Sequence, residues 1–342
     1  MPKFKILVCY HKKDPLFKNE VLVPIHAGRA CALEASKDGK LPKEDFDWLY
    51  SHMIGDDTGG GQNNVSHLNR SINEWTAIYW AYKNYKKLGN PDYIGLMHYR
   101  RLFDLSNVVL TSKKYLLSTL GLKKKYLERL IEQYDFVCSK VQFREDYPGL
   151  NSIEQISRIM LLSEEYHPVL YKGYQKFLKD HILYAKNMFI MKREDFFAYC
   201  EEIIPLLKDL LSKDRNELLE IYFKYRKQYD DIESYEKSYA AYKNTENYFP
   251  RLLAHVLERA TSFYFSSLIE KYGKRSLCAP LYSIKTPSAV IVKSKRKNHR
   301  ILRIIIKCLV DKKRYKKLKR NPKRFFRDSK NSIIKFLGKY YD

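Results

Sequence analysis

A histidine and two arginines stand together where a short apolar segment of the chain ends. His98, Arg100 and Arg101 follow residues 93–97, a nearly continuous apolar run that comes after a proline. The run has the length of a strand and predicts a central parallel strand buried on both faces. Because ligands of open α/β sheets bind beyond the carboxyl ends of the strands, these cations suit a multivalent anion such as a phosphate. The alternative is an arginine pair that binds a carboxylate and closes a surface.

Polar residues also follow other segments of the predicted sheet. His11 and Lys12 come directly after the first apolar segment, and a loop rich in glycine and asparagine, residues 55–66, contains Asp57 and Asn64. Glycine lets a backbone approach a ligand closely, so such a loop can present amide groups to an anion. A mobile connection between two elements is the alternative.

The sequence does not distinguish group transfer with retention from group transfer with inversion at the reacting carbon. An inverting mechanism would need a carboxylate that accepts a proton from the acceptor hydroxyl. The candidates are Glu258, Asp57 and Glu74. Glu258 ranks first and lies in a predicted amphipathic helix, where pairing with a buried partner is its alternative role. Glu74 stands three residues after Ser71, which is the spacing of a capping box and gives Glu74 a structural explanation.

The order of the elements indicates the fold class. Strand patterns alternate with helical patterns up to about residue 192 and helices dominate afterwards, which predicts an α/β fold with a helical C-terminal extension. Strands are expected at residues 4–10, 21–25, 93–97, 134–138 and 185–191. Helices are expected at residues 71–84, 116–133, 151–162, 168–179, 193–211 and 249–265, with a helical hairpin or one protruding helix over residues 216–242.

Positive charge is concentrated at the end of the chain. The 342 residues carry a formal net charge of +25, and 20 of the 64 Lys and Arg residues lie between Lys293 and Asp342. Apolar groups within residues 301–310 and 325–337 interrupt this basic tail, which predicts amphipathic helices that lie on an anionic membrane surface. Packing of these apolar groups on the main domain is the alternative.

Other features narrow the class of protein. No apolar run reaches the roughly 18 residues of a membrane span, and the N-terminus enters a strand pattern instead of a signal peptide. Six cysteines lie far apart without a CxxC pair, which is typical of reduced thiols in a cytoplasmic protein. The alternatives to an enzyme are a nucleic-acid-binding protein, which lacks support from any binding motif, and a catalytically inactive membrane-associated scaffold.

An ordered series of motifs resembles a bacterial family first filed as a domain of unknown function. Its members occur as glycosyltransferases in capsule, exopolysaccharide and O-antigen clusters, and some are galactofuranosyltransferases. The similarity covers roughly residues 4–265, and the glycine loop at residues 59–63 is longer here than is usual in the family. The motifs are Lys5-Ile6-Leu7-Val8, His11-Lys12, Val23-Pro24-Ile25-His26-Ala27-Gly28, Gly55-Asp56-Asp57-Thr58-Gly59, Asn64-Val65-Ser66, Glu74-Trp75-Thr76, Asp92-Tyr93-Ile94-Gly95-Leu96, His98-Tyr99-Arg100-Arg101 and Asn187-Met188-Phe189-Ile190-Met191.

The resemblance implies a GT-A-like nucleotide-sugar fold of Rossmann type. In that fold the strand that enters the site usually ends in DxD, whose carboxylates hold a divalent metal against the diphosphate, whereas here His98-Tyr99-Arg100 stands in that place. We therefore expect no metal cofactor, with cationic side chains neutralising the departing diphosphate. Asp45-Phe46-Asp47 has the DxD form but no apolar strand precedes it, and Glu44-Asp45 is typical of an early helical turn.

The resemblance also implies the site and the partners. Glu258, Arg100 and Arg101 are the expected catalytic residues. The donor is expected to be a nucleoside-diphosphate sugar, a UDP-sugar of galactofuranose or galactose, and the acceptor a polyprenyl-linked glycan of a bacterial surface polysaccharide. The residues expected to bind the nucleotide sugar are His11, Lys12, Asp57, Asn64, Glu74, His98, Arg100, Arg101 and Asn187.

The expected organisation has two parts. Residues 1–270 form the GT-A-like glycosyltransferase domain, and residues 271–342 form a basic amphipathic helical tail. The tail would place the enzyme on the inner face of the cell membrane, as a cytoplasmic peripheral protein, where it would meet a lipid-linked acceptor.

Overall fold

The computed structural model describes residues 2–35, 40–106, 117, 120–145, 167–213 and 249–284. The strands are β1 (Phe4–Tyr10), β2 (Leu22–His26), β3 (Ile54–Gly55), β4 (Tyr93–His98), β5 (Arg101–Phe103), β6 (Phe136–Gln142), β7 (Ile182–Lys192), β8 (Ser276–Cys278) and β9 (Leu281–Ser283). The α-helices are α1 (Lys43–His52), α2 (Asn69–Ile72), α3 (Trp75–Lys83), α4 (Lys124–Gln133), α5 (Pro168–Asp180), α6 (Arg193–Ser212) and α7 (Phe249–Tyr272).

The strands form one mixed sheet in the order β3-β2-β1-β4-β7-β6-β8, and β5 pairs with both β4 and β9. Strands β1 to β4 are mutually parallel, so their carboxyl ends meet at one edge of the sheet. Strand β7 runs antiparallel to β4 and begins at that same edge. This carboxyl edge is therefore the place where the sequence predicts the site.

Two apolar cores cover the two faces of the sheet. Along β1 the buried side chains alternate, so that Leu7 and Cys9 join the core under α3, α5, α6 and α7. Ile6 and Val8 join the other core, to which α1 and α4 contribute. This alternation is the period of two that a strand imposes on its side chains.

Strand β4 lies in the middle of the sheet, as predicted, and its four inner residues are buried. The predicted parallel pairing is found on one side of this strand, because β4 is parallel to β1 but antiparallel to β7. Gly95 explains how β7 comes so close. A Cβ atom at this residue would lie 2.7 Å from the backbone oxygen of Phe189 and 3.2 Å from Cγ1 of Ile6.

The predicted bounds of the other strands and helices agree with the structure in part. The predicted strands and the helices α5, α6 and α7 are confirmed within a few residues, although α7 continues to Tyr272. Helix α4 covers only the second half of the helix expected over residues 116–133. The helices expected at 151–162 and 216–242 lie outside the described residues.

The C-terminal extension was expected to be helical, but strands β8 and β9 follow α7 and join the sheet. The first compact unit accordingly ends at Ile284, beyond the expected boundary at residue 270, and residues 285–342 form the second unit. Residues 271–284 of the predicted membrane tail belong to the first unit, and its remaining residues, 285–342, lie outside the described residues. Within the described part of the chain, no helix has both the length and the apolar character needed to cross a bilayer.

Candidate functional site

Two consecutive residues in the middle of β7 have a left-handed backbone. The φ angle is 72° at Lys186 and 50° at Asn187, and neither residue is glycine. Such residues cost on the order of 1–3 kcal/mol each and persist only where their surroundings hold them. Strained residues of this kind cluster at functional sites, so this left-handed pair and the residues that contact it are a candidate functional site.

Three side chains from three other elements hold the left-handed pair. The backbone N–H of Lys186 donates to Oε1 of Glu258 at 3.0 Å, and Nε2 of His98 donates to the Lys186 carbonyl at 2.9 Å. Nδ2 of Asn187 donates to Oε1 of Glu74 at 2.9 Å. Four of the predicted site residues therefore meet at the carboxyl edge of β4, although they are distant in sequence.

The contact with a carbonyl fixes the tautomer of His98. A carbonyl oxygen can only accept a hydrogen bond, so Nε2 of His98 must carry the proton. The same nitrogen lies 3.7 Å from Oε1 of Glu74. Glu74 therefore faces both the imidazole of His98 and the amide of Asn187.

The capping-box interpretation of Glu74 is wrong. The predicted single helix is interrupted, because α2 ends at Ile72 and Asn73 has a φ angle of 49°. Glu74 is the N-cap residue of α3 but makes no side-chain capping hydrogen bond. Its carboxylate instead points to Asn187, which lies 113 residues away in the sequence.

Lys186 is a member of the site that the sequence analysis missed. Its side chain is half-buried, and burial, followed by the positive charge of Arg101, lowers its pKa below the ordinary value for lysine. The negative charge of Glu258 acts in the opposite direction. Arg101 and Glu258 thus both lie within electrostatic reach of Lys186. The lysine directly before the Asn187 motif was the available signal.

The two arginines after β4 have different surroundings. Nε of Arg100 lies 3.6 Å from Oδ2 of Asp14, and its guanidinium lies 5.1 Å from the centre of the Tyr99 ring. Arg101 is exposed in β5, and among the described residues no carboxylate forms an ion pair with it. The alternative reading of an arginine bound to a carboxylate therefore fits Arg100, whereas Arg101 keeps its charge available.

His11 lies beside the same tyrosine. The hydroxyl of Tyr99 is 3.3 Å from Nε2 of His11, and the Tyr99 ring stacks on Tyr10 with centroids 5.1 Å apart. Lys12 follows in the turn after β1 and is half-buried. These residues border the carboxyl edge next to Arg100.

The glycine-rich loop after β3 is organised by its own aspartates. The fully buried Asp56 accepts hydrogen bonds from the backbone N–H groups of Gly28 and Arg29, at 2.7 Å and 3.1 Å, and from the Ser66 hydroxyl. Burial raises the pKa of Asp56, and these hydrogen bonds oppose that rise. Asp56 therefore joins the loops that follow β2 and β3.

Asp57 and Asn64, two predicted ligand-binding residues, are engaged within that loop. Oδ1 of Asp57 accepts a hydrogen bond from Nε of Arg29 at 2.7 Å. Nδ2 of Asn64 donates to the carbonyl of Asp57 at 3.1 Å. The Arg29 guanidinium lies directly over Gly55, where a Cβ atom would collide with it, and 4.6 Å from the Tyr50 ring centre. In this structure the loop and the left-handed pair are separate clusters of contacts.

His26, at the end of β2, is buried with neither ring nitrogen bonded to a described residue. Burial, with a smaller contribution from the Arg29 charge, lowers the pKa of His26 to about 4. The ring is therefore neutral at ordinary pH. The sequence places His26 only in a motif, and its burial without a bonded partner among the described residues is set by the fold.

The aspartates of the DxD-like motif lie in α1 and are paired with lysines. Asp45 lies 3.4 Å from Nζ of Lys13, and Asp47 pairs with Lys43 one turn earlier in the helix. Among the residues that the structure describes, no three His, Cys, Asp or Glu side chains are grouped so as to hold a metal ion. The expected role of cationic side chains at the site stays a prediction.

Comparison with known proteins gives one family and one solved structure. The family model described as "Domain of unknown function (DUF4422)" matches residues 5–217. The apo structure of the bifunctional glycosyltransferase WbbM matches with a TM-score of 0.56 and 20% sequence identity. The match covers 83% of this chain and 46% of the WbbM chain, so this protein spans about half the length of that structure. No curated protein matches significantly.

The likeness to WbbM confirms the predicted α/β fold class, which this chain shares with a glycosyltransferase structure. The matched family segment contains β1 to β7 together with His98, Arg101 and Asn187, whereas Glu258 lies beyond it. Because this segment covers more than half of the sequence, the chain belongs to the DUF4422 family.

Proposed function

We propose that this protein is a glycosyltransferase that moves a sugar from a nucleoside-diphosphate donor to a glycan acceptor. The observation that carries the proposal is the convergence of His98, Glu74, Glu258 and Arg101 around the left-handed pair at the carboxyl edge of β4. Ligands of α/β sheets bind at this edge. The fold shared with WbbM supports the same reaction class.

The leaving group of the reaction would be a nucleoside diphosphate, on which negative charge increases as the glycosidic bond breaks. Arg101 is suited to stabilise that charge because it is exposed at the carboxyl edge and no described carboxylate is paired with it. Arg100 has Asp14 as a partner and a tyrosine beneath its guanidinium. We assign the larger share of the electrostatic stabilisation to Arg101.

Glu258 is the proposed general base that removes a proton from the acceptor hydroxyl. One of its oxygens accepts a hydrogen bond from the Lys186 backbone, which orients the carboxylate toward the site. Glu74 is bonded to Asn187 and faces His98, so we assign it a positioning role. Asp57 is bonded to Arg29 in the neighbouring loop and is not proposed as a base.

The finer identity of the substrates rests on the family resemblance and on the basic tail. We propose a UDP-sugar of galactofuranose or galactose as the donor and a polyprenyl-linked glycan of a bacterial surface polysaccharide as the acceptor. The 20 Lys and Arg residues between Lys293 and Asp342 would attract the enzyme to the anionic inner face of the cell membrane.

We also propose that the reaction proceeds without a divalent metal. The support is the residue type at the end of β4, where cations replace the carboxylates that would hold a metal. We expect transfer to persist in excess chelator. Complete loss of activity with EDTA, restored by Mn²⁺ or Mg²⁺, would contradict this part of the proposal.

The donor can be identified with a panel of nucleotide sugars, scored by the shift in melting temperature that each compound causes. We expect one nucleotide class to raise the melting temperature, and its sugar conjugate to be turned over with release of the nucleoside diphosphate. A panel in which no compound binds and none is consumed would contradict the proposed function.

A further inference from the structure

The side chain of Lys186 has an unusual combination of surroundings for a lysine. It is half-buried, and the positive charge of Arg101 acts on it while Glu258 is the acidic neighbour that acts in the opposite direction. Burying one cation beside another is unfavourable in the absence of a compensating anion. Within the group formed by Lys186, Arg101 and Glu258, one carboxylate therefore acts against two cations.

The backbone conformation of Lys186 is one in which a lysine is unusual. Its φ angle of 72° is one that glycine adopts freely and that asparagine tolerates, whereas lysine does so rarely. Its N–H and carbonyl are both used, by Glu258 and His98, and any residue type except proline could make those two bonds. What lysine in particular adds at this position is therefore its side chain.

We propose that Lys186 and Arg101 together form a binding site for a diphosphate group, and that the left-handed pair directs the Lys186 ammonium into that site. The inference rests on the proposed function, because the diphosphate would belong to the nucleotide-sugar donor. The proposed site includes Lys186, which lies outside the arginine motif, and the left-handed backbone has the role of orienting its side chain.

Charge and geometry agree with a diphosphate as the ligand. Arg101 offers a planar fork that can bond two oxygens, and Lys186 offers a compact charge. Arg101 lies in β5 and Lys186 in β7, and both strands pair with β4. His98 and Glu258 fix the Lys186 backbone from opposite sides, through its carbonyl and its N–H. A fixed backbone limits the positions that the ammonium can reach, which favours a defined anion site.

Binding of a diphosphate at this site should be coupled to protonation of the Lys186 side chain. The groups that act on the Lys186 ammonium are Arg101, which favours its neutral form, and Glu258, which favours its charged form. A bound diphosphate favours the charged form, so the pKa of Lys186 should rise on binding. Affinity is then highest below the lowered pKa of the free enzyme. It falls as the pH rises through the interval between that pKa and the higher pKa of the complex.

The test is calorimetric titration of the full-length protein with UDP, inorganic pyrophosphate and orthophosphate, comparing wild type with Lys186→Met and Lys186→Arg. Lys5→Met is the matched control, since Lys5 is also a half-buried lysine but lies near the start of β1, away from the carboxyl edge. Its Nζ donates a hydrogen bond to the Glu20 carbonyl. Thermal unfolding confirms that each variant is folded.

We expect Lys186→Met to weaken UDP and pyrophosphate binding by about tenfold or more, in line with the loss of one charge-assisted contact. Lys186→Arg should weaken it less, and Lys5→Met should bind like wild type. Wild type should take up protons on binding near the lowered pKa, as seen from the dependence of the heat on the buffer, and Lys186→Met should not. Stronger binding of pyrophosphate than of orthophosphate would identify the diphosphate unit.

Wild-type affinity and unchanged proton uptake in a folded Lys186→Met variant would overturn the inference. Equal affinities for pyrophosphate and orthophosphate would also contradict it. The inference and the proposed function fail separately. Pyrophosphate binding that depends on Lys186, without any sugar transfer, would support the anion site and contradict the proposed glycosyltransferase activity. Sugar transfer at the wild-type rate in Lys186→Met would support the glycosyltransferase activity and contradict the anion site.

Discussion

Arg100 and Arg101 are consecutive in the chain, but the fold gives them different surroundings. Nε of Arg100 lies 3.6 Å from Oδ2 of Asp14, which lies in the loop after β1. Among the described residues no carboxylate forms an ion pair with Arg101, which is exposed in β5. We therefore expect Arg101 to carry more of the interaction with an anionic ligand than Arg100.

His26 leads to a prediction about stability at acidic pH. Its pKa is lowered from 6.5 to about 4 in the folded protein, so between these two values the unfolded chain binds more protons. The free energy of unfolding should therefore fall as the pH decreases from 6.5 toward 4. The contribution of this one group is on the order of 3 kcal/mol.

The measurement is urea unfolding across this pH range for wild type and His26→Phe. We expect the variant to lose part of the pH dependence, because it has no ring nitrogen to protonate. His67→Phe is the matched control, since His67 is exposed, and it should retain the wild-type dependence. Identical pH profiles for wild type and His26→Phe would contradict the assignment.

Among the elements, the long and strongly patterned ones were predicted well. Strands β1, β4 and β7 and helices α5 and α6 lie close to their expected positions because an apolar pattern of the right period covers each of them. Strands β8 and β9 have three residues each and carry no such pattern. They form because β9 pairs with β5 and β8 pairs with β6. These pairings depend on the assembled sheet and cannot be read from the sequence of the two short segments.

The left-handed pair could not be predicted for the same reason. The backbone of Lys186 is held by Glu258, 72 residues away, and by His98, 88 residues away, and the side chain of Asn187 is bonded to Glu74. Local propensity at Lys186 favours an ordinary strand. Long-range contacts override that preference, and the capping spacing of Glu74 pointed to the wrong partner.

The close approach of β4 and β7 gives a prediction for Gly95→Ala. The new methyl group would lie 2.7 Å from the backbone oxygen of Phe189, so β7 must shift away from β4. We expect a loss of about 1–3 kcal/mol in the free energy of unfolding, which is typical of an overpacked core. Donor binding should weaken too, because β7 carries the left-handed pair.

Urea unfolding and nucleotide binding measure both effects. Cγ1 of Ile190 also lies 3.1 Å from the added methyl group, so Gly95→Ala is also made in Ile190→Ala, which lacks that atom, to test whether the side chain alone causes the clash. Because the closest atom belongs to the backbone, the double variant should be less stable than Ile190→Ala alone. Wild-type stability in Gly95→Ala, or equal stability of the double variant and Ile190→Ala, would contradict the predicted backbone clash.

At the scale of the whole molecule, the chain divides into a compact unit that ends at Ile284 and a second unit of residues 285–342. The first contains the complete candidate site, and the second contains the basic tail. We therefore expect a chain truncated after residue 284 to fold and to bind the donor. We also expect it to lose affinity for anionic membranes, to which each basic residue near the surface contributes about 1 kcal/mol.

Flotation with liposomes of varied anionic lipid content distinguishes the two chains. The full-length protein should float with anionic liposomes at moderate salt, and the truncated chain should remain at the bottom of the gradient. Equal binding of the two chains, or no binding by the full-length protein, would mean that the tail does not attach the enzyme to the membrane.

The central claim is that sugar transfer takes place at the carboxyl edge of β4. The most direct test is the rate of nucleoside diphosphate release from the donor that the panel identifies, compared between wild type, Arg101→Ala and Arg100→Ala. We predict that Arg101→Ala lowers this rate by two or more orders of magnitude at unchanged melting temperature, and that Arg100→Ala lowers it less. Near-normal turnover in a folded Arg101→Ala variant would contradict the claim.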